Sequence, residues 1–174
     1  MSVACSSTEI ESVTPTRLPN YLQKISEFGA SQEDMKDIYI KFIRSVLEFS
    51  CVVWGSSLTK ENIQTIERVQ KVSVNLILKN RFKTYRQNFE VLKLTTLHER
   101  RQLLALSFAK SCVKSEIGKN MFQENKNSDK LLRQKEKYSV PRCFTNIMKN
   151  SAIPFMTSLL NEDWNNKTKF TKTK

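Results

Sequence analysis

Glycine and proline are scarce, at three and four residues in a chain of 174. Turn-rich β-sandwiches and barrels need many of both, so an all-β fold is disfavoured. The abundance of Leu, Ile, Lys, Glu and Gln favours helices instead. Histidine occurs once, and the four cysteines (Cys5, Cys51, Cys112, Cys143) stand far apart with no CxxC pair. That excludes the usual zinc-site spacings and does not suggest a disulfide framework in so long a chain. Reduced, mostly buried thiols in an intracellular protein, nuclear or cytoplasmic, are the expectation. No run approaches the ~20 apolar residues of a membrane span. The opening MSVACSSTEIESVTPT lacks the basic and apolar regions of a secretory signal. A soluble chain with no membrane partner is expected.

Catalytic signatures are missing too. There is no Gly-rich phosphate loop, GxSxG elbow or HExxH helix. The adjacent carboxylates, Glu33-Asp34 and Glu162-Asp163, sit at a helix start and near the tail, not where two cations would be held for phosphoryl transfer. His98 has no cysteine or second histidine near it in sequence and reads as a surface residue. No catalytic residue, cofactor or metal ligand is expected.

What is present is a core and an uneven charge. Hydrophobic residues make up 39% of the chain, ten of them Phe, enough for one folded domain. The net charge is +12, and all of the surplus lies late. Up to residue 60 the signs nearly cancel. Residues 61–110 then carry ten basic against four acidic groups, and residues 111–174 thirteen against six. A basic half suits an anionic partner, nucleic acid first and an acidic membrane surface second. A solvated Lys-rich surface explains the charge alone about as well.

The periodicity is helical. Leu18, Tyr21, Leu22, Ile25 and Phe28 form one face before Gly29, a left-handed stop. Ser31 is placed as an N-cap, with Glu33 and Asp34 favourable in the first turn. Met35, Ile38, Tyr39, Phe42, Val46 and Phe49 then recur at threes and fours, widened by Ile43 and Leu47. This helix is expected to run through Val52 and Val53 to Gly55, with Trp54 as a core plug at the corner. Thr59 caps the next helix, whose stripe is Ile63, Ile66, Val69, Gln70, Val74 and Ile77, with Lys60, Arg68 and Lys71 off it.

In RFKTYRQN, Arg81, Lys83 and Arg86 alternate with Phe82 and Tyr85 just after Lys79. Single-strand binders interleave cations and rings in this way, but two aromatics docking on the core explain the pattern equally well. A short helix follows from Tyr85 to Leu92. Thr96 and Glu99 then have capping-box spacing and open a helix expected to bury Leu103, Leu104, Leu106, Phe108, Cys112 and Val113, with Arg100 and Arg101 on the rim.

The organisation expected is all-α: a single compact domain of about five helices. Residues 1–17 form a disordered leader, 18–115 the helical domain, 116–140 a polar linker and 141–163 a docking segment through Ile147, Ile153, Phe155, Met156, Leu159 and Leu160, with Ser151 and Pro154 marking a helix start. Residues 164–174 form a basic tail.

These residues carry a resemblance. IYIKFIRSVLEFSCVVWGSSLTKENIQTIERVQKVSVNLIL resembles the segment just downstream of the catalytic palm in reverse transcriptases of non-LTR retrotransposons, of the jockey and RTE type. Its elements are Tyr-x-x-Phe-Ile-Arg-x-x-Leu-Glu at Tyr39 to Glu48, the Val-Trp-x-Ser corner at Val53 to Ser56, Leu-Thr-x-x-Asn at Leu58 to Asn62, and Ile-Glu-Arg-Val-Gln-Lys at Ile66 to Lys71. Leu-x-x-Arg-Arg-x-x-Leu-x-x-x-Phe-Ala-x-x-Cys follows at Leu97 to Cys112, and the trailing MFQ, EKYSV and NSAIPFMTSLLN are similar in order. The likeness spans Tyr21 to Asp163. It departs at Gln123, where the family has Pro, and at the Leu-Leu-Arg that replaces Thr-Arg before EKY.

The resemblance implies a polymerase-thumb-like unit without the palm's Ala-Asp-Asp motif. It implies a non-catalytic fragment of an RNA-directed DNA polymerase, expected to grip an RNA or DNA template–primer duplex through its backbone. The candidate contacts are Arg68, Lys71, Lys79, Arg81, Lys83, Arg86, Arg100 and Arg101. The alternative is a helical interaction module whose former palm-facing apolar surface meets a protein partner or a second copy.

Overall fold

The computed structural model describes residues 18–79, 84–125 and 136–171; the expected leader, residues 1–17, lies outside them. The protein is all-α. Its longer helical runs are joined by short ones, and the only strand-like pairing among the described residues is an isolated antiparallel bridge between Glu124 and Tyr138.

Helix α1 (Leu18–Glu27) buries Leu18 and Leu22 and leaves Tyr21 and Phe28 in water. Gly29 closes it at φ +82°, a conformation that costs glycine nothing. Ser31 caps α2 (Gln32–Ile38), its Oγ accepting the Asp34 N–H at 3.2 Å.

The sequence does not announce what comes next. Residues Tyr39–Ile43 make a π turn, in which the Arg44 N–H donates to the Tyr39 carbonyl, before α3 (Arg44–Glu48) resumes. In a regular α-helix a row of residues spaced by four drifts around the axis, because a turn takes 3.6 residues. One wider turn offsets that drift. Met35, Tyr39, Ile43 and Leu47 therefore all stay buried on one face. The expected stripe through Phe42, Val46 and Phe49 is corrected accordingly: these three, with Val53, are 67%, 54%, 76% and 70% exposed.

The helix also breaks before Gly55. Ser50 turns left-handed (φ 50°) and separates α3 from the short α4 (Cys51–Trp54). Trp54 is half-buried at this corner, donating its indole N–H to the Phe49 carbonyl at 2.7 Å. A 3-10 turn at Gly55–Ser57 leads on.

Thr59 caps α5 (Lys60–Ile77), accepting the Asn62 N–H. The inner face of α5 is Val69, Gln70, Ser73, Val74 and Ile77. Helix α6 (Tyr85–Leu92) buries Phe89 and Leu92. Helix α7 (Leu97–Lys114) opens with a complete Thr96–Glu99 capping box.

The inner face of α7 matches the expected stripe only in part: Leu106, Cys112 and Val113 pack half-buried against the core, while Leu103 and Phe108 are exposed. The fully buried row is Leu97, Arg101, Ala105 and Ala109 at fours. Small residues let α4 and α10 pack close against this helix. A hydrophobicity pattern favours the large side chains and so passes over the small ones at the centre of this face.

After α7 come α8 (Glu116–Met121), the buried Phe122 and Tyr138, and α9 (Asn146–Lys149). The stretch expected as a polar linker thus contributes to the core. The last helix, α10 (Ala152–Thr171), runs past Asp163 into the expected tail. Met156 and Leu160 are buried while Ile147, expected to dock, is exposed.

Two clusters make the core. One joins α1, α2, α3, α5 and α6 to the start of α7, and the other joins the middle of α7 to α10, Phe122 and Tyr138. Asn161 on α10 ties down Tyr138: its Oδ1 accepts the Tyr138 N–H at 2.8 Å and its Nδ2 donates to the Tyr138 carbonyl at 2.9 Å. Among the described residues no helix is long and apolar enough to cross a membrane.

Candidate nucleic-acid interface

The basic residues after position 60 are positioned by α5 and the start of α7, and one buried side chain sets that arrangement. Gln70 is fully enclosed on the inner face of α5. Its Nε2 donates to the Thr95 carbonyl at 3.0 Å and its Oε1 accepts the Leu97 N–H at 3.1 Å. The amide thus stands in for a backbone segment and fixes where α7 begins. One turn earlier, Glu67 Oε1 accepts the His98 N–H at 2.8 Å. A carboxylate is well placed there, at the positive end of the α7 dipole.

With the two helices held so, Gln64, Glu67, Arg68 and Lys71 of α5 face Thr96 and His98 across an open groove. Arg68 and Lys71 are both exposed. The groove is basic on its α5 wall, and its one carboxylate is already engaged with α7. Lys79, just beyond α5, is exposed in a left-handed conformation (φ 48°). It borders a second depression with Gly29, Ser31 and Gln32. Arg86 is exposed on α6. Arg81 and Lys83 lie outside the described residues, as does Phe82, so the alternation of rings and cations expected there is not part of this geometry.

The two arginines expected on the rim of α7 part company. Arg100 pairs with Glu48 of α3, and Arg44 approaches the same carboxylate at 3.7 Å. This is a partly buried three-residue network that joins α7 to α3. Arg101 is a correction: it is 5% exposed, turned into the core by its place on the Leu97–Ala105–Ala109 face. No phosphate on the outer surface reaches it. Its Nη2 lies 3.7 Å from Glu67 Oε1, too far for a hydrogen bond.

Two other titratable groups in the core, Tyr39 and Cys51, are held in their neutral forms. Burial pushes the Tyr39 phenol far above its ordinary range, with Arg44 pulling weakly the other way. Burial also raises the Cys51 thiol, helped by Glu48, which keeps it neutral and poorly nucleophilic. Among the described residues no three His, Cys, Asp or Glu side chains come together where they could hold a metal ion.

Gln70 lies on the buried stripe that the helical spacing of α5 predicts, and the spacing alone gives it no task. The usable signal was a polar residue inside an apolar row, since a buried amide needs partners. Glu67 gave no such signal.

No family model matches the chain, and no curated protein or solved structure is similar to it.

Proposed function

We propose that this chain is a helical, non-catalytic nucleic-acid-binding module, a thumb-like remnant of a non-LTR retrotransposon reverse transcriptase that holds a template–primer duplex by its phosphates. The observation that carries the reading is the set of exposed cations on α5, just beyond it and on α6, Arg68, Lys71, Lys79 and Arg86, within residues 61–174, which hold the entire charge surplus. Cations on one run of helix and turn suit a regularly spaced row of phosphates, and such contacts are indifferent to base sequence. The family assignment rests on the motif resemblance from Tyr21 to Asp163. In this reading Arg100 and Arg101 are structural, and Arg81 and Lys83 are two further cations in the sequence between Lys79 and Arg86.

The test is a simultaneous charge reversal of Lys79, Arg81, Lys83 and Arg86 to Glu. Affinity for an RNA–DNA primer–template duplex falls by at least about 100-fold, at about 1 kcal/mol or more per lost phosphate contact, while the far-ultraviolet circular dichroism is unchanged. Unaltered affinity in a folded variant rejects the proposed face.

A second reading is favoured by the face that the π turn leaves in water. Phe42, Val46, Phe49 and Val53 are all exposed on consecutive turns, and adjoining apolar side chains of this size mark interaction surfaces. Here the module binds a protein partner or a second copy of itself. Sedimentation at increasing concentration tests self-association, and Phe42→Asp with Phe49→Asp returns any oligomer to monomer.

A further inference from the structure

We infer that the small cavity between the α4 corner and α7 is a binding site for a small inorganic anion of the chloride class, held by the Arg101 guanidinium and the Ser56 hydroxyl. The cavity measures ≈ 20 Å³. That is room for a halide or one or two waters, since one water needs roughly 10–15 Å³, and too little for a tetrahedral phosphate. Its polar lining is Ser56, His98, Arg101 and Gln102, its apolar lining includes Cys51 and Phe155, and no carboxylate borders it. The Arg101 side chain is only 6% exposed. Its Nη1 and Nη2, and the Ser56 Oγ, are buried without a hydrogen-bond partner among the described residues.

A guanidinium in that state is costly, because a buried cation needs both an opposite charge and acceptors for its N–H groups. Glu67 supplies the first only in part. Its Oε1 stays 3.7 Å from Nη2 and already accepts the His98 N–H, where the α7 dipole offsets some of its charge. Its Oε2 is also without a partner, but Glu67 does not line the cavity. The unpartnered groups at this cavity, two guanidinium nitrogens and a hydroxyl, can all donate to a single ligand. An anion accepts from them at once and supplies the opposite charge that Glu67 provides only in part. A neutral water accepts from two and leaves the guanidinium charge uncompensated.

The experiment is thermal unfolding of the full chain at constant ionic strength, with sodium gluconate replaced stepwise by sodium chloride or bromide. The expected result is a saturable rise in Tm with either halide. Ser56→Ala moves its midpoint to about fivefold higher halide, the worth of one hydrogen bond, and Arg101→Met abolishes it. Should Arg101→Met fail to fold, Ser56→Ala and crystals grown in bromide decide: an anomalous bromide peak against Arg101 is expected. A Tm indifferent to the exchange, the same halide response in Ser56→Ala as in wild type, or a cavity holding only water in bromide crystals overturns the inference. None of these outcomes depends on nucleic-acid binding.

Discussion

Replacing Gln70 by Met keeps the length and volume of the side chain and removes both of its hydrogen bonds. Two backbone groups then lose their partners. The Leu97 N–H is buried and bears the full desolvation penalty, about 1–3 kcal/mol. The Thr95 carbonyl is only partly buried, so water recovers some of its loss and it adds about 1 kcal/mol. The expected destabilisation is about 2–4 kcal/mol, read as a lower urea midpoint at an unchanged slope. Gln70→Glu refines the test. At neutral pH it buries a carboxylate against the Thr95 carbonyl, which makes it worse than Met. Burial raises the folded-state pKa of that Glu above its unfolded value near ~4.3. The penalty is therefore full above the folded pKa and shrinks as pH falls towards the unfolded one. The protonated acid can donate to Thr95 while its other oxygen still accepts from Leu97. A Met variant within about 0.5 kcal/mol of wild type, the range of an inert surface change, would refute the view that Gln70 anchors α7.

Gly118→Ala tests the close approach of α8 to the end of α7. An added Cβ would lie 1.9 Å from the Cys112 carbonyl oxygen, which is backbone and cannot step aside. A loss of about 3 kcal/mol is expected, measured by urea unfolding. Asp163 bridges α7 and α10, with Lys110 Nζ at 2.9 Å and Lys167 Nζ at 3.0 Å, and its hydrogen bonds to Lys110 and then Lys167 hold its carboxyl below the usual range. A depressed carboxyl stabilises above its unfolded pKa, and that contribution is lost as pH falls through the folded value. Asp163→Asn is thus less stable than wild type at pH 7 by about 0.5 kcal/mol, as befits a partly exposed pair. In thermal unfolding across pH the gap closes below the unfolded value of 3.8.

The helix boundaries were legible where a local device sets them. Ser31, Thr59 and the Thr96–Glu99 box each mark a helix start by side-chain chemistry that spacing alone reveals, and Gly29 marks a stop by its freedom at positive φ. Faces were harder to read. The stripe of α5 was visible because large apolar residues fill it. On α7 the packing uses Ala105, Ala109 and the stem of Arg101, and small residues or an arginine do not register as hydrophobic. On α2–α3 the three-and-four spacing was compatible with two faces, and the π turn chose between them. Nothing within five residues forces that turn; the tertiary need to keep Tyr39, Ile43 and Leu47 on one row does. The candidate interface was partly legible for the same reason. Arg68 and Lys71 lie off a clear stripe and are exposed, whereas Arg101 looked like any surface arginine until α4 and α10 closed over its face.

The central claim is that this chain grips nucleic acid through phosphates, and salt dependence addresses it most directly. Fluorescence anisotropy of a labelled RNA–DNA primer–template duplex, titrated from 50 to 200 mM salt, gives the slope of log affinity against log salt concentration. With about four phosphates neutralised, a slope near −4 is predicted, so affinity falls by about two orders of magnitude across that range whatever the base sequence. No binding at 50 mM salt, or an affinity indifferent to salt, would contradict the account.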